Sequence, residues 1–163
     1  MPFTAGLKII SERNIEGRHT LDETNTKLNF INPLIELLGY NFHVDVSAEY
    51  PSSQNGGATR VDYALFRNIK PKSDQQEDFI TPDIIVECKR TNSNLDTKDI
   101  KQLFQYFNAL PSVKIGLLTN GIVYKFFSDL DNDCNGQLKQ DTLLSRFLIE
   151  FPFIFERGLI AYF

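Results

Sequence analysis

Apolar positions along the chain switch between two periods. From Asp22 to Leu38, the residues Leu28, Ile31, Leu34, Ile35 and Leu38 recur at the spacing of one helical face, and Gly39 follows as a residue suited to the left-handed position after a helix. Pro33 lies inside that span and predicts a kink or break near Asn32, because it has no N–H to donate. A period of two then takes over: "NFHVDVSAEY" and "RVDYALF" predict strands joined by the turn-rich "PSSQNGG". The polar stretch from Arg67 to Pro82 is long for a connection and reads as a flap or an insertion at a hairpin tip. "DIIVECK" predicts a third strand. "LDTKDIKQLFQYFNAL" is amphipathic, with Ile100, Leu103, Phe104, Phe107 and Leu110 on one face and Pro111 closing it. "VKIGLLT" and "IVYKFFSDL" predict two further strands around Asn120-Gly121, a strong hairpin signal, and "DTLLSRFLI" predicts a helix after a loop. Helix, three strands, helix, two strands specifies an α/β domain with a mixed central sheet flanked by helices.

Length and composition narrow this picture. With 163 residues and 42% hydrophobic content, the chain is expected to form a single domain over 1–163, with a core at about 22–130 and a C-terminal extension at 131–163. "MPFTAGLKIISERNIEG" is broken by Lys8, Glu12 and Arg13 and lacks the apolar run of a cleavable signal, so a cytoplasmic location is expected. "FLIEFPFIFERGLIAYF" is apolar, but Glu150, Pro152, Glu156 and Arg157 interrupt it short of the roughly 20 residues a membrane helix needs. It reads as core or as a subunit contact, which makes a second copy or a partner subunit an expected partner and a membrane an unexpected one. Cys88 and Cys134 give neither a disulfide framework nor zinc spacing.

The net charge of −4 and pI near 5.2 argue at first against a nucleic-acid partner. The distribution softens that objection: Arg60 to Lys125 holds ten basic and eight acidic residues, whereas the first fifty residues hold four and seven. A phosphate-facing surface would therefore lie in the middle of the chain, although a balanced solvated face gives the same count.

The third strand carries the chemistry. In "PDIIVECKR" the alternation of side chains puts Glu87 and Lys89 on one face and Ile84, Val86 and Cys88 on the other. Antiparallel pairing with "RVDYALF" brings Asp62 near Glu87 and Lys89. Two carboxylates converging at one end of a sheet lose several kcal/mol of hydration unless something compensates, and a divalent cation with hard oxygen ligands would do so. A protonated lysine cannot ligate, which leaves Lys89 to orient an attacking water or to neutralise charge developing on phosphorus. Ion pairs of Asp62 and Glu87 with Lys89, Arg60 or Arg90 would account for the same triplet by structure alone. "DNDCNG", from Asp131, mimics the first half of a calcium-binding loop, but Thr142 stands where a bidentate glutamate is required. His19 and His43 have no metal-binding company.

Gln102 and Tyr106 stand one turn apart on the flank of the second helix, and Glu23 lies one turn before Lys27 on the first. The order Glu, Asp, Glu-x-Lys, Gln-x-x-x-Tyr on helix, strand, strand and helix resembles the PD-(D/E)xK nuclease superfamily. Within it, "ETNTKLNFINPLIELLGYN", "AEYPSSQNGGATRVDYALF", "IIVECKR", "QLFQYF" and "GLLTNGIVYKFFSDL" resemble the N-terminal nuclease domain of type I restriction enzyme R subunits and related stand-alone phage and bacterial proteins. The resemblance implies a restriction-endonuclease-like three-layer core (αβββαβ) and hydrolysis of DNA with Mg2+ or Mn2+. It implies Asp62 and Glu87 as metal ligands, the carbonyl of Cys88 as a third, and Lys89 as the catalytic lysine. Glu23 would contact a metal-bound water, and Gln102 with Tyr106 would support the site. Val61 stands where the superfamily pattern has proline before the aspartate. The alternative is an inactive or weakly active nuclease fold serving as a DNA-binding or protein-interaction module in a restriction or phage-defence system.

Overall fold

The computed structural model of the protein describes residues 2–16, 20–52, 59–67, 81–110, 112–128 and 149–151. The long connection after Arg67, the "DNDCNG" loop, Cys134 and His19 lie outside the described residues. Helices α1 (Phe3–Glu16), α2 (Glu23–Thr26) and α3 (Asn32–Leu37) precede strands β1 (Val46–Pro51), β2 (Arg60–Leu65) and β3 (Ile84–Cys88). Helix α4 (Thr97–Ala109) follows, then β4 (Ile115–Thr119), β5 (Tyr124–Ser128) and β6 (Ile149–Phe151). The strands form one six-stranded sheet in sequence order. Every pairing is antiparallel except β3 with β4, where α4 makes the crossover that parallel strands require. The expected mixed sheet flanked by helices is present.

Each face of the sheet has its own apolar layer. Ile31, just before α3, and Ile35 within it pack with Leu65, Val86 and Leu117 on one side. Leu103 and Tyr106 of α4 pack with Val61, Ile85 and Leu118 on the other. Gly116 is what lets α4 approach β4: a Cβ there would collide with Phe107 Cε2 and lie 3.1 Å from Leu103 Cδ2. Among the described residues no helix is long and apolar enough to cross a membrane.

The helix expected from Asp22 to Leu38 is indeed interrupted. Between α2 and α3 lies a π turn, Lys27–Ile31, closed by the Asn32 N–H donating to the Lys27 carbonyl. Pro33 is the cause, since it cannot donate to the preceding turn; the freed Asn29 carbonyl instead accepts from Arg13 Nη1 of α1 at 3.1 Å. Gly39 adopts φ +91° after α3, as its position requires.

One expectation needs correction, one element was not foreseen, and one expected helix lies almost wholly outside the described residues. The strand expected to begin at Asn41 begins at Val46, because Asn41 and Asp45 close a turn on themselves: Asp45 Oδ2 accepts from the Asn41 N–H at 2.9 Å, and Asn41 Oδ1 from the His43 N–H at 2.8 Å. Helix α1 was not expected, since among its apolar side chains over 3–13 Leu7 and Ile10 are buried while Phe3 and Ile9 are exposed, and its pattern is correspondingly weak. Of the helix expected over 141–149, only Ile149 is described, and it opens β6 by pairing with Phe126.

Candidate active site

The β2–β3 ladder places the acids together. Tyr63 opposes Val86 and Leu65 opposes Ile84, which brings Asp62 level with Glu87 at the same end of the sheet. Beyond Tyr63 the backbone ladder gives way to a side chain: Asp62 Oδ2 accepts the Cys88 N–H at 2.6 Å. The other oxygen, Oδ1, accepts from Lys27 Nζ on the π turn. Lys27 also lies 3.3 Å from Glu23 and 3.8 Å from Glu49. Asn32 holds this helical segment against β2 by accepting from the Tyr63 hydroxyl at 2.7 Å.

Glu87 is the buried member of the pair, its side chain only 5% exposed. Its Oε1 accepts from Lys89 Nζ at 2.6 Å. Lys89 is fixed at the root, because its N–H donates to the Thr119 carbonyl at 2.8 Å and so prolongs the β3–β4 ladder by one residue. The ammonium also donates to Gln102 Oε1 at 3.0 Å, and Gln102 Nε2 donates to the Tyr106 hydroxyl at 2.9 Å. A continuous polar chain thus runs from Glu87 through Lys89 and Gln102 to Tyr106, across the parallel β3–α4 connection.

Burial, with the Asp62 carboxylate as the next cause, raises the Glu87 carboxyl to about 7; the Lys89 bond opposes this only in part. Burial works against charging Lys89, yet the bond to Glu87 and the surrounding carboxylates lift its ammonium above the usual lysine value. Lys89 is therefore a proton donor and a fixed positive charge, not a base. Burial, followed by Asp62, holds the Cys88 thiol well above its ordinary value, so its sulfur stays protonated and only its backbone is available as a hard donor.

The donor set suits magnesium better than a metal that needs a dense protein cage. Among the described residues no group of three or more His, Cys, Asp or Glu converges, so two carboxylates and backbone oxygen are what the site offers. Glu87 Oε2 is buried with no hydrogen-bond partner among the described residues, a costly state for a carboxylate oxygen that a cation ligand would relieve. Glu23 stands apart, 46% exposed and paired with Lys27, at one remove from Asp62.

Sequence reasoning brought Asp62, Glu87, Lys89, Gln102 and Tyr106 to one place but overlooked Lys27 and Glu49. The i, i+4 pairing of Glu23 with Lys27 was the available signal for the first. No pattern flags Glu49, which adopts φ +52° in β1, an uncommon conformation for a side chain of its kind. A second overlooked pattern lies on α4, where Lys98, Lys101, Gln102, Gln105 and Tyr106 follow one another at i, i+3, i+4, i+7 and i+8.

A mixed sheet flanked by helices, with two acids and a lysine at the ends of its adjoining strands, defines an α/β domain of the restriction-endonuclease-like class. The chain belongs to the family described as type I restriction enzyme R protein N terminus, which matches residues 22–140, well over half of the chain. It is accordingly a nuclease domain of the type I restriction enzyme kind. Searches of curated proteins and of solved structures give no match.

Proposed function

We propose that this domain hydrolyses phosphodiester bonds in DNA with the help of Mg2+ or Mn2+ held by Asp62, Glu87 and the carbonyl of Cys88. When bound, the cation would polarise the scissile phosphate and acidify a coordinated water. Lys89, kept as an ammonium, donates hydrogen bonds toward the attacking water and the phosphoryl oxygens, where negative charge grows. Gln102 restrains that ammonium from the far side, so its direction does not rest on Glu87 alone. Tyr106 holds the amide of Gln102 in the one orientation that presents Oε1 to Lys89.

The observation that carries this reading is Glu87 itself, whose one oxygen receives the Lys89 ammonium while the other is buried with no hydrogen-bond partner among the described residues. A second reading, a nuclease fold used only to bind DNA or protein, is favoured by Asp62, both of whose oxygens are satisfied without a cation. Incubating the purified chain with plasmid, linear and single-stranded DNA in magnesium, manganese or chelator decides between them. Cleavage that needs the cation and is lost in Glu87→Ala supports catalysis. Binding without cleavage under every condition supports the module.

A further inference from the structure

The polar chain from Glu87 ends in the wall of an open cleft of about 550 Å³. Gln102 and Tyr106 form its inner side, Lys98, Lys101 and Gln105 line it along α4, and Thr59 faces them from the entry to β2. Among the described residues no carboxylate lines it. Lys98 and Lys101 are both exposed, and neither has an ion-pair partner among the described residues. The two lysines that touch the acids are paired: Lys27 faces Glu23, Glu49 and Asp62, and Lys89 faces Glu87.

In a chain of net charge −4, Lys98 and Lys101 put two ammonium groups without ion-pair partners among the described residues on one polar helix face. Their place matters as much as their charge. They stand one helical turn and less from Gln102, which touches the Lys89 ammonium directly. A polyanion lying along this face would therefore run straight into the site. Amide and hydroxyl groups at Gln105, Thr59 and Tyr106 supply the neutral donors that backbone phosphates also accept, and such contacts position a strand without reading its bases.

We infer that the α4 cleft is the track for the DNA backbone beside the scissile phosphate, with Lys98 and Lys101 each holding one flanking phosphate. The inference rests on the DNA-hydrolysis reading and adds to it the path of the strand. It also explains how an acidic chain engages DNA: the positive charge is concentrated where the strand must lie. The cleft contacts serve binding, while Lys89 serves the reaction.

The test uses the full chain with a fluorescently labelled oligodeoxynucleotide, single-stranded and as duplex, in chelator so that no metal-dependent turnover occurs. Anisotropy titrations across a series of KCl concentrations compare wild type with Lys98→Ala/Lys101→Ala and with Lys114→Ala, an exposed lysine outside the cleft. Each lost phosphate contact lowers the slope of log affinity against log salt by about 0.9 on duplex and about 0.7 on single strands. The double variant should bind about tenfold or more weakly with its slope reduced by nearly two such steps, and Lys114→Ala should match wild type. In magnesium the double variant should raise KM and leave kcat at saturating DNA unchanged. An unchanged slope and affinity in the double variant overturn the track and leave hydrolysis standing. Equal losses in Lys114→Ala show a diffuse charge effect and overturn it as well. Wild type that neither binds in chelator nor cleaves in magnesium overturns both readings, and cleavage without salt-dependent binding overturns only the track.

Discussion

Lys27 donates to Asp62 from 35 residues away in the chain, placing an ammonium on the carboxylate oxygen that a metal ion would have to share. On the proposed reading the two cations would compete for one ligand. Lys27→Met keeps most of the side-chain volume and removes the charge, so Mn2+ should bind about tenfold more tightly, about 1.4 kcal/mol, by isothermal titration calorimetry. The metal-free variant should also melt at a lower temperature, since Asp62, Glu49 and Glu23 lose their shared counter-ion. Affinity that stays the same or weakens would show that Lys27 holds Asp62 in place for the metal instead of contending with it.

Lys89 should separate chemistry from binding. In Lys89→Ala, single-turnover cleavage is expected to fall by about three orders of magnitude, the scale of a lost charge-stabilising donor, while calorimetric Mn2+ affinity changes little. A parallel fall in both would make Lys89 a structural partner of Glu87.

Gln102 accepts from Lys89 and on the proposed reading acts through it. Gln102→Ala is expected to slow cleavage by about 10- to 100-fold without loss of fold by circular dichroism, and Tyr106→Phe should slow it less, because only the orientation of the Gln102 amide is relaxed. Cleavage by Gln102→Ala at the wild-type rate would reduce the α4 face to packing.

The acidity of Glu87 should appear in the stability of the metal-free protein. Its folded value of about 7 lies above the ordinary 4.5, so the proton is held more tightly in the fold. That contribution is complete below about pH 4.5 and is lost as pH rises to about 7. Urea denaturation in chelator should find wild type and Glu87→Gln closest at the acid end. Above about pH 8, wild type should lie below the variant by up to about 3 kcal/mol. Parallel pH curves for the two proteins would contradict a buried, proton-retaining Glu87.

Gly116 offers a mechanical test of the same site. Gly116→Ala drives a methyl into Phe107 and Leu103, and should cost about 1–3 kcal/mol in denaturation with a drop in activity, because α4 carries Gln102.

Much of this site was legible because a strand's alternation is rigid. Once "RVDYALF" and "DIIVECK" are paired, Asp62, Glu87 and Lys89 share one end of the sheet whatever the rest of the chain does, and the apolar face of α4 then turns Gln102 toward them. Lys27 was not legible in the same way, because its direction depends on how the helix is wound at Pro33, which a spacing rule for regular helices does not capture. Glu49 depends on a left-handed backbone within a strand, and the turn at 41–45 on side chains of Asn41 and Asp45 that imitate backbone partners. Local exceptions of this kind leave no periodic trace.

Pro33 therefore reaches further than its own kink. In a regular helix each residue advances by about 100°, and a turn closed by five-residue bonds takes up about one residue more than its neighbours, so α2 is rotated by about that angle against α3. The imino acid sets the azimuth of Lys27 and Glu23 relative to the buried side of α3, two faces that one uninterrupted winding would place differently. A residue restoring the N–H at position 33 would give Asn29 a second suitor besides Arg13 and allow the segment to rewind. The charge facing Asp62 is then a property of helical phase, and a substitution far from any carboxylate would swing it out of register.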